Sequence, residues 1–207
     1  MKLNLITDCK NIKGNNDDKY IYLGPVDFSI YKAAELNKKI LISSKDIAIN
    51  DLDKTQRIKK LEYCETLHKK LIATLAEKLN ELHKEKYNKK IWELIFGRWL
   101  KDFIYISYNN FNIIQNLLKN KKLDSIKISN SQLSDIHTKN YEHLVESYLS
   151  TNWNKNLNSI IIKYLKPNVK IETESFKKNL AIENKVFNKL NIFKNIMKFI
   201  FPVVNFF

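Results

Sequence analysis

The rarest residue types of this chain lie together in one stretch, residues 79–103, and they are types that can bind ligands. The stretch contains two of the three tryptophans, Trp92 and Trp99, with Gly97, one of three glycines, and Arg98, one of two arginines. Lysine, asparagine and isoleucine dominate the rest of the chain. Scarce types gathered in one place indicate a local structural or chemical demand.

Asn80 and His83 are three residues apart, so both face one side of the end of a predicted helix. In a functional interpretation they form a polar pair at the mouth of a cleft, where the imidazole binds a hydroxyl or a phosphate oxygen. In a structural interpretation they hold a helix–helix turn through hydrogen bonds. The residues alone favour the structural interpretation.

The two tryptophans are seven residues apart, which is two helical turns, so Trp92 and Trp99 share one stripe. Such a stripe is more typical of a packed core than of a sugar-stacking platform. Gly97 weakens a helix interior by about 1 kcal/mol relative to alanine, which suggests close packing of another element or of a ligand. Arg98 can bind an anion, although an ordinary ion pair with Asp102 at i+4 is the more common outcome.

A strand that runs into a turn supplies the remaining candidates, Gly24 and Asp27. In an open parallel sheet, ligands bind beyond the carboxyl ends of the strands. The backbone around Gly24 and the carboxylate of Asp27 are therefore expected beside a cleft. Gly-Pro after a strand is also ordinary turn chemistry, so this signal is weak by itself.

The elements that must position these residues follow from the hydrophobic periodicity. Short apolar runs bounded by turn residues predict five strands: Leu3–Thr7, Tyr20–Leu23, Ile40–Ser43, Ser125–Ser129 and Val169–Glu172. Apolar residues at helical spacing predict five helices before the tail: Phe28–Asn37, Asp51 to about Tyr87, Lys90–Asn120, Lys139–Leu149 and Asn154–Leu165. The order of strand, loop, helix and strand in the first 50 residues favours a small parallel, Rossmann-like sheet. The polar break at Asn88–Lys90 makes the two long helices an antiparallel hairpin, so the sequence predicts a helix-dominated α/β fold.

Composition and the absence of known motifs argue against nucleic-acid binding, metal binding and a membrane-spanning chain. The net charge is +14, but almost all of the positive charge comes from lysine. Proteins that read nucleic acids favour arginine, so the codon bias of an AT-rich genome explains the lysine content better than nucleic-acid binding does. Cys9 and Cys64 lack metal-ligand spacing, and Cys64 falls on an apolar helix face. The sequence has no 18-residue apolar run, signal peptide, Walker loop or zinc motif, so we expect a cytoplasmic protein without a metal site.

Four short motifs in the helical part resemble those of a transferase family of bacterial surface-carbohydrate biosynthesis, whose pattern is L-N-x-x-H, S-x-R-Y-W, G-P-W-L and Y-D-R. The first is intact in Leu79–His83, and the second keeps its tryptophan and a positive charge in Asn88–Trp92. The third has arginine in place of proline in Gly97–Leu100, and the fourth loses its acid and base in Tyr108–Asn110. The segment Tyr20–Gly24 is similar to an early F-L-G segment of that family.

The resemblance covers about residues 18–120 and implies the N-terminal, acceptor-side half of a two-domain, GT-B-like glycosyltransferase. It implies a domain over residues 1–174, an amphipathic helical tail over 175–207, and a truncated chain, inactive alone, whose C-terminal donor-binding domain is absent. The nucleotide-sugar donor would bind that second half, so no cofactor is expected in this chain. The substrate-binding candidates are Gly24, Asp27, Asn80, His83, Trp92 and Arg98, and no catalytic residue is assigned.

The partners implied by the resemblance are a carbohydrate acceptor and a separately encoded C-terminal half. The alternative function is a non-enzymatic, basic helical protein whose C-terminal tail binds an anionic membrane surface or a partner chain. Under either interpretation the protein is cytoplasmic, with peripheral contact at the inner face of the membrane.

Overall fold

A computed structural model describes residues 2–8, 18–25, 41–43 and 54–174. These residues divide into two compact units. Unit 1 comprises the described residues up to 43 together with 110–137 and 146–174, and unit 2 comprises 54–109 and 138–145. The helix predicted at Phe28–Asn37 and the predicted tail over 175–207 lie outside the described residues, and the predicted boundary after residue 174 stays a prediction.

Unit 1 contains a five-stranded sheet with the order β3-β2-β1-β4-β5, in which every neighbouring pair is parallel. The order reverses between β1 and β4, as in doubly wound nucleotide-binding sheets. The strands span Leu3–Ile6 (β1), Lys19–Tyr22 (β2), Leu41–Ser43 (β3), Ser125–Ser129 (β4) and Lys170–Glu174 (β5). The predicted small parallel, Rossmann-like sheet is therefore confirmed, with strand ends that differ from the prediction by at most two residues.

The central strands are short apolar runs because the chain buries them almost completely. Leu5 in β1 lies opposite Ile21 in β2 and Ile126 in β4, and none of the three is more than 1% exposed. Parallel strands covered on both faces read as continuous hydrophobic segments rather than as alternating ones. This burial fixes the register and brings the carboxyl ends of β1, β2 and β4 to one edge.

The described residues also form four α-helices and one short 3-10 helix. They span Lys54–His83 (α1), Lys89–Asn120 (α2), Leu133–Ile136 (3-10), Tyr141–Leu149 (α3) and Thr151–Leu165 (α4). The predicted helix ending near Tyr87 stops at His83 instead, because Lys84 adopts a left-handed conformation with φ 56°. None of the described helices is long and apolar enough to cross a membrane.

In unit 2, α1 and the first part of α2 form the predicted antiparallel hairpin. Near its open end Lys60 Nζ donates to Asn109 Oδ1 at 2.9 Å, and midway His68 Nε2 donates to the Gly97 carbonyl oxygen at 3.0 Å. The interior is apolar and includes Cys64, which is fully buried, as its helix face predicted. The two helices of the hairpin thus share an apolar interior and are joined by hydrogen bonds at two levels.

The expectation that α2 is buried on nearly every face is wrong for its first turns. Leu94 is 87% exposed and Ile95 is 63% exposed, while Leu100, Phe103 and Ile104 are fully buried. Two antiparallel helices cover only one side of each other, so the outer side of α2 near the hairpin loop remains in solvent.

Candidate functional site

The carboxyl edge of the sheet carries a partly buried ion pair where the strand order reverses. Asp8 lies two residues beyond the end of β1, and its Oδ2 is 3.2 Å from Nζ of Lys155 on α4. The two side chains are only 15% and 13% exposed. Ligands of open parallel sheets bind at this point, outside the carboxyl ends of the strands.

Ser159, one helical turn after Lys155, joins α4 to the ends of two strands. Its Oγ donates to the Lys155 carbonyl oxygen at 2.7 Å and accepts from the Ser129 backbone N–H at 3.1 Å. Thr7 Oγ1 lies 3.2 Å from Ser159 Oγ and acts as the donor, since the Ser159 proton already points to Lys155. Thr7 and Ser159 are at most 1% exposed, so this network fixes α4 against the ends of β1 and β4.

Asn158 extends the same contact to the end of β2. Its Nδ2 donates to the Leu23 carbonyl oxygen at 3.2 Å, and the residue is 4% exposed. Its Oδ1 is buried and has no hydrogen-bond partner among the residues that the structure describes. Buried side-chain oxygens are almost always paired in proteins, so this carboxamide retains one acceptor for a ligand or a water molecule.

A second set of contacts attaches α4 to the segment after β4. Ser131 Oγ donates to Asn156 Oδ1 at 2.8 Å, and Asn156 Nδ2 donates to the Asp135 carbonyl oxygen at 3.3 Å. Lys163 Nζ donates to Asn130 Oδ1 at 3.2 Å and to the Ser131 carbonyl oxygen at 3.0 Å. Burial lowers the pKa of Lys163, with a smaller opposing effect from Asp135.

Of the two candidates predicted at this edge, Gly24 is described and Asp27 is not. Gly24 follows β2 directly after Leu23, whose carbonyl binds Asn158. A Cβ at position 24 would lie 2.4 Å from Tyr22 Oη, so the close approach of that hydroxyl requires glycine. Gly24 thus lies at the expected edge and has a steric reason for being glycine.

Asn80 and Trp92 meet at the hairpin loop of unit 2. Asn80 Oδ1 accepts from Trp92 Nε1 at 2.8 Å and from the Tyr87 backbone N–H at 3.1 Å, and its Nδ2 donates to the Tyr87 carbonyl oxygen at 2.8 Å. Trp92 is 7% exposed. Asn80 therefore closes the loop as the structural interpretation predicts, and Trp92 is a packing residue.

His83 and Arg98 are both exposed, and they have different partners. The His83 ring lies 5.8 Å from the Trp92 ring. Arg98 Nε donates to Tyr141 Oη at 3.1 Å, and Tyr141 Oη donates to Asp102 Oδ2 at 2.9 Å. The expected direct pair of Arg98 with Asp102 is thus mediated by a tyrosine hydroxyl from α3. This contact raises the pKa of Arg98, with a smaller contribution from Asp102.

Gly97 contacts α1 through its backbone carbonyl. His68 is buried, and its Nε2 reaches the Gly97 carbonyl 3.0 Å away. A Cβ at position 97 would lie 3.9 Å from His68 Nε2, an ordinary contact distance, and 3.2 Å from Cγ of Glu93 on the same helix. The tightest neighbour of position 97 is therefore the exposed Glu93 side chain rather than α1. Trp99 stacks on Phe103 at 5.4 Å between ring centroids, so this stripe belongs to the core.

The family described as LIC12162 family transferase matches residues 3–206. The chain belongs to this transferase family. No curated protein and no solved structure shows a significant match. The family confirms the predicted transferase class, whereas its description does not extend to the surface carbohydrates that the sequence resemblance implied.

The carboxyl edge of the sheet carries three groups that a transferase could use. They are the carboxylate of Asp8, the ammonium group of Lys155 and the carboxamide oxygen of Asn158, and the last two lie on the same helix, α4. Asp8 can accept a hydrogen bond from a hydroxyl or take its proton, and Lys155 can bind an anionic oxygen. The described residues contain no cluster of potential metal ligands. The edge can therefore bind a polar ligand through hydrogen bonds and charge.

Sequence reasoning missed α4 as a source of site residues. The helix contains an unusual run, N-W-N-K-N-L-N-S over residues 152–159, within an otherwise apolar element. Lys155 and Ser159, and likewise Asn154 and Asn158, are four residues apart and share a helix face. A polar stripe on a helix next to a parallel sheet was the available signal, since such a stripe must meet polar strand ends or a ligand.

Proposed function

We propose that this chain is a glycosyltransferase-type protein of surface-polysaccharide biosynthesis that binds a carbohydrate acceptor at the carboxyl edge of its sheet. Three observations support the proposal: membership of a transferase family, a doubly wound parallel sheet, and polar side chains at the ends of β1 and β2. The largely buried Asp8–Lys155 pair at the reversal of strand order is the observation that carries it.

The chemistry of this pair suits a hydroxyl nucleophile. The Asp8 carboxylate would accept the hydrogen bond of an acceptor hydroxyl and act as its general base during transfer. Lys155 would hold that carboxylate in place through the ion pair and attract a phosphate or carboxylate on the ligand. Asn158 would use its Oδ1 to accept from a second hydroxyl. Gly24 would lie beside this ligand, and Asp27 stays a candidate from the sequence alone.

Pure stability is a weaker explanation for the pair. Removing an ammonium and a carboxylate from water costs several kcal/mol per ion, and their attraction often only offsets that cost. A partly exposed pair at a ligand-binding edge can have a second use. Asp8 and Lys155 can each break their contact with the other and bind a charged or hydroxylated ligand instead. The proposal places the protein in the cytoplasm or at the inner face of the membrane, as the sequence resemblance implies.

Glycosyl transfer by the full chain with a panel of nucleotide sugars and acceptor saccharides tests the proposal. Saturation-transfer NMR with the acceptors alone measures binding independently of turnover. We expect Asp8→Asn and Lys155→Met to weaken acceptor binding at least tenfold, equivalent to about 1.4 kcal/mol. Asp124→Asn is the matched control, because this exposed carboxylate binds the Leu3 N–H at the amino edge of the sheet.

The outcomes separate binding from catalysis. Acceptor binding that depends on Asp8 supports the proposal, whether transfer occurs with the chain alone or needs a second polypeptide that binds the donor. Acceptor binding that is unchanged in both variants, or absent from the folded wild-type chain, contradicts it.

A further inference from the structure

The loop end of the helical hairpin exposes apolar side chains next to a cluster of lysines. Ile91, Leu94 and Ile95 are 37%, 87% and 63% exposed, and their spacing of three and four residues places them on one face of α2. Leu82 and Tyr87, at the same end of the hairpin, are 48% and 42% exposed. Single exposed hydrophobic residues are common on protein surfaces, but five at one end of an element indicate an interaction site.

The charge of this end is positive, because residues 82–95 contain four lysines and two glutamates, Glu85 and Glu93. The loop and its flanks read K-E-K-Y-N-K-K over residues 84–90, which contain four lysines and one glutamate, and every one of these residues is exposed. Lysine side chains can lay their methylene groups along an apolar surface while the ammonium groups stay in water. The combination is typical of protein surfaces that rest on an anionic lipid bilayer.

We propose that the loop end of this hairpin, residues 82–95, docks on an anionic membrane surface. The apolar face formed by Ile91, Leu94 and Ile95 inserts among the acyl chains near the headgroups. The four lysines of the loop lie at the level of the lipid phosphates. Tyr87, with an apolar ring and a polar hydroxyl, fits the boundary between the two regions.

The same charges disfavour a second copy of this chain as the occupant. A symmetric dimer through this end would place the lysines of one copy against those of the other, and like charges in contact oppose association. An anionic bilayer instead supplies opposite charge and apolar volume together. The surface is also distinct from residues 175–207, where the sequence analysis expected membrane contact.

The hairpin can present this surface as a rigid element. Asn80 ties α1 to the Tyr87 backbone and to the Trp92 indole through three hydrogen bonds. Trp92 packs against His83 and Tyr87, with ring centroids 5.8 Å apart in both pairs. On the inner side of the loop end, Asn80 and Trp92 thus contact other residues of the hairpin. Substitutions on the outer side should therefore leave the fold intact.

Co-sedimentation of the full chain with vesicles tests the proposal, using phosphatidylglycerol mixed with phosphatidylcholine and, in parallel, phosphatidylcholine alone. We expect binding only to the anionic vesicles, decreasing as sodium chloride is added. Leu94→Ser with Ile95→Ser should lower the partition coefficient at least about tenfold, since most of two apolar side chains no longer enters the bilayer. Lys89→Gln with Lys90→Gln should lower it about fivefold per lysine.

Two matched control variants alter the same residue types elsewhere. Leu149→Ser removes an exposed leucine of α3 that is 70% exposed, and Lys121→Gln with Lys122→Gln removes two exposed lysines after α2. Circular dichroism verifies that each variant is folded. We expect both controls to bind vesicles like the wild-type chain.

Several outcomes would overturn the proposal. Wild-type binding that the loop-end variants leave unchanged would assign membrane contact to another segment. Absence of binding to anionic vesicles would exclude an anionic membrane as the binding partner of this surface. Self-association in sedimentation equilibrium, abolished by Leu94→Ser with Ile95→Ser in the absence of vesicle binding, would identify a second copy as the occupant.

Discussion

Replacing Ser159 by alanine tests whether the contact between α4 and the strand ends holds unit 1 together. The change removes one hydroxyl that accepts from the Ser129 N–H at 3.1 Å and lies 3.2 Å from Thr7 Oγ1. Both partners are buried, Ser129 at 9% and Thr7 at 1% exposure, so water replaces the lost acceptor poorly. Each lost hydrogen bond costs about 1 kcal/mol net, which gives a loss of about 2 kcal/mol in the free energy of unfolding.

Urea unfolding followed by circular dichroism measures this loss, and NMR hydrogen exchange of the Ser129 amide reports the local change. We expect a lower urea midpoint and an amide that exchanges at least tenfold faster, since about 2 kcal/mol exceeds one factor of ten. A double-mutant cycle with Thr7→Val should give a coupling energy of about 1 kcal/mol between the two hydroxyls.

Ser134→Ala is the matched control, because Ser134 is exposed on the 3-10 helix. Its effect should stay within about 0.5 kcal/mol, as for most surface substitutions. A Ser159→Ala chain with unchanged urea midpoint and unchanged Ser129 exchange would refute the inferred network. In that case the polar face of α4 would not be anchored to the strand ends as described.

Three further predictions concern unit 2. Burial raises the pKa of Cys64 to about 12, so in a Cys9→Ser chain at pH 8 a disulfide reagent should react with it at least about a hundredfold more slowly than after unfolding in urea; rapid native labelling would contradict this. Hydrogen bonds from Lys101 and a tyrosine hydroxyl lower the pKa of Glu65, so its stabilising effect is present above about pH 4.3 and lost as pH falls through the lowered value. Because Glu65 is 40% exposed, the stability difference between wild-type and Glu65→Gln should stay below about 1 kcal/mol at pH 7 and decrease as the pH is lowered below about 4.3 in urea titrations. Asn80→Ala should lower stability by about 2 kcal/mol without affecting acceptor binding, and a selective loss of binding in a fully stable chain would instead assign Asn80 to a ligand.

The sheet and the hairpin could be predicted because buried positions are apolar. They form short apolar runs in the strands and recur every three or four residues in the helices. Ser125–Ser129 was predicted as a strand with the observed bounds, and the apolar positions of α1 and α2 indicated an antiparallel pair. The left-handed Lys84 ended α1 earlier than predicted, because lysine carries no sequence signal for that conformation. Exposure of Leu94 was also unpredictable, since periodicity shows which residues are apolar but not which of them find a neighbour.

The site was harder to predict because it depends on contacts between residues far apart in sequence. Asp8 and Lys155 are 147 positions apart and meet only when β1 lies beside β4. The rare residues near the hairpin loop attracted attention by their types, yet Asn80, Trp92 and Gly97 all make contacts within the hairpin. Residue rarity therefore identified a demanding structural junction rather than the polar strand ends.

The hairpin loop and the carboxyl edge of the sheet differ in the hydrogen-bond donors and acceptors that stay unpaired in the folded chain. Asn80 uses its amide oxygen twice and its amide nitrogen once within the hairpin loop, and Ser159 has both a donor and an acceptor role filled. Asn158, by contrast, is 4% exposed and keeps an unpartnered oxygen next to the strand end that also carries Gly24. An unsatisfied buried acceptor costs about 1–3 kcal/mol, a cost that a ligand hydroxyl can remove. For this reason we propose that a transferase ligand binds at the carboxyl edge of the sheet rather than at the tryptophan-rich hairpin.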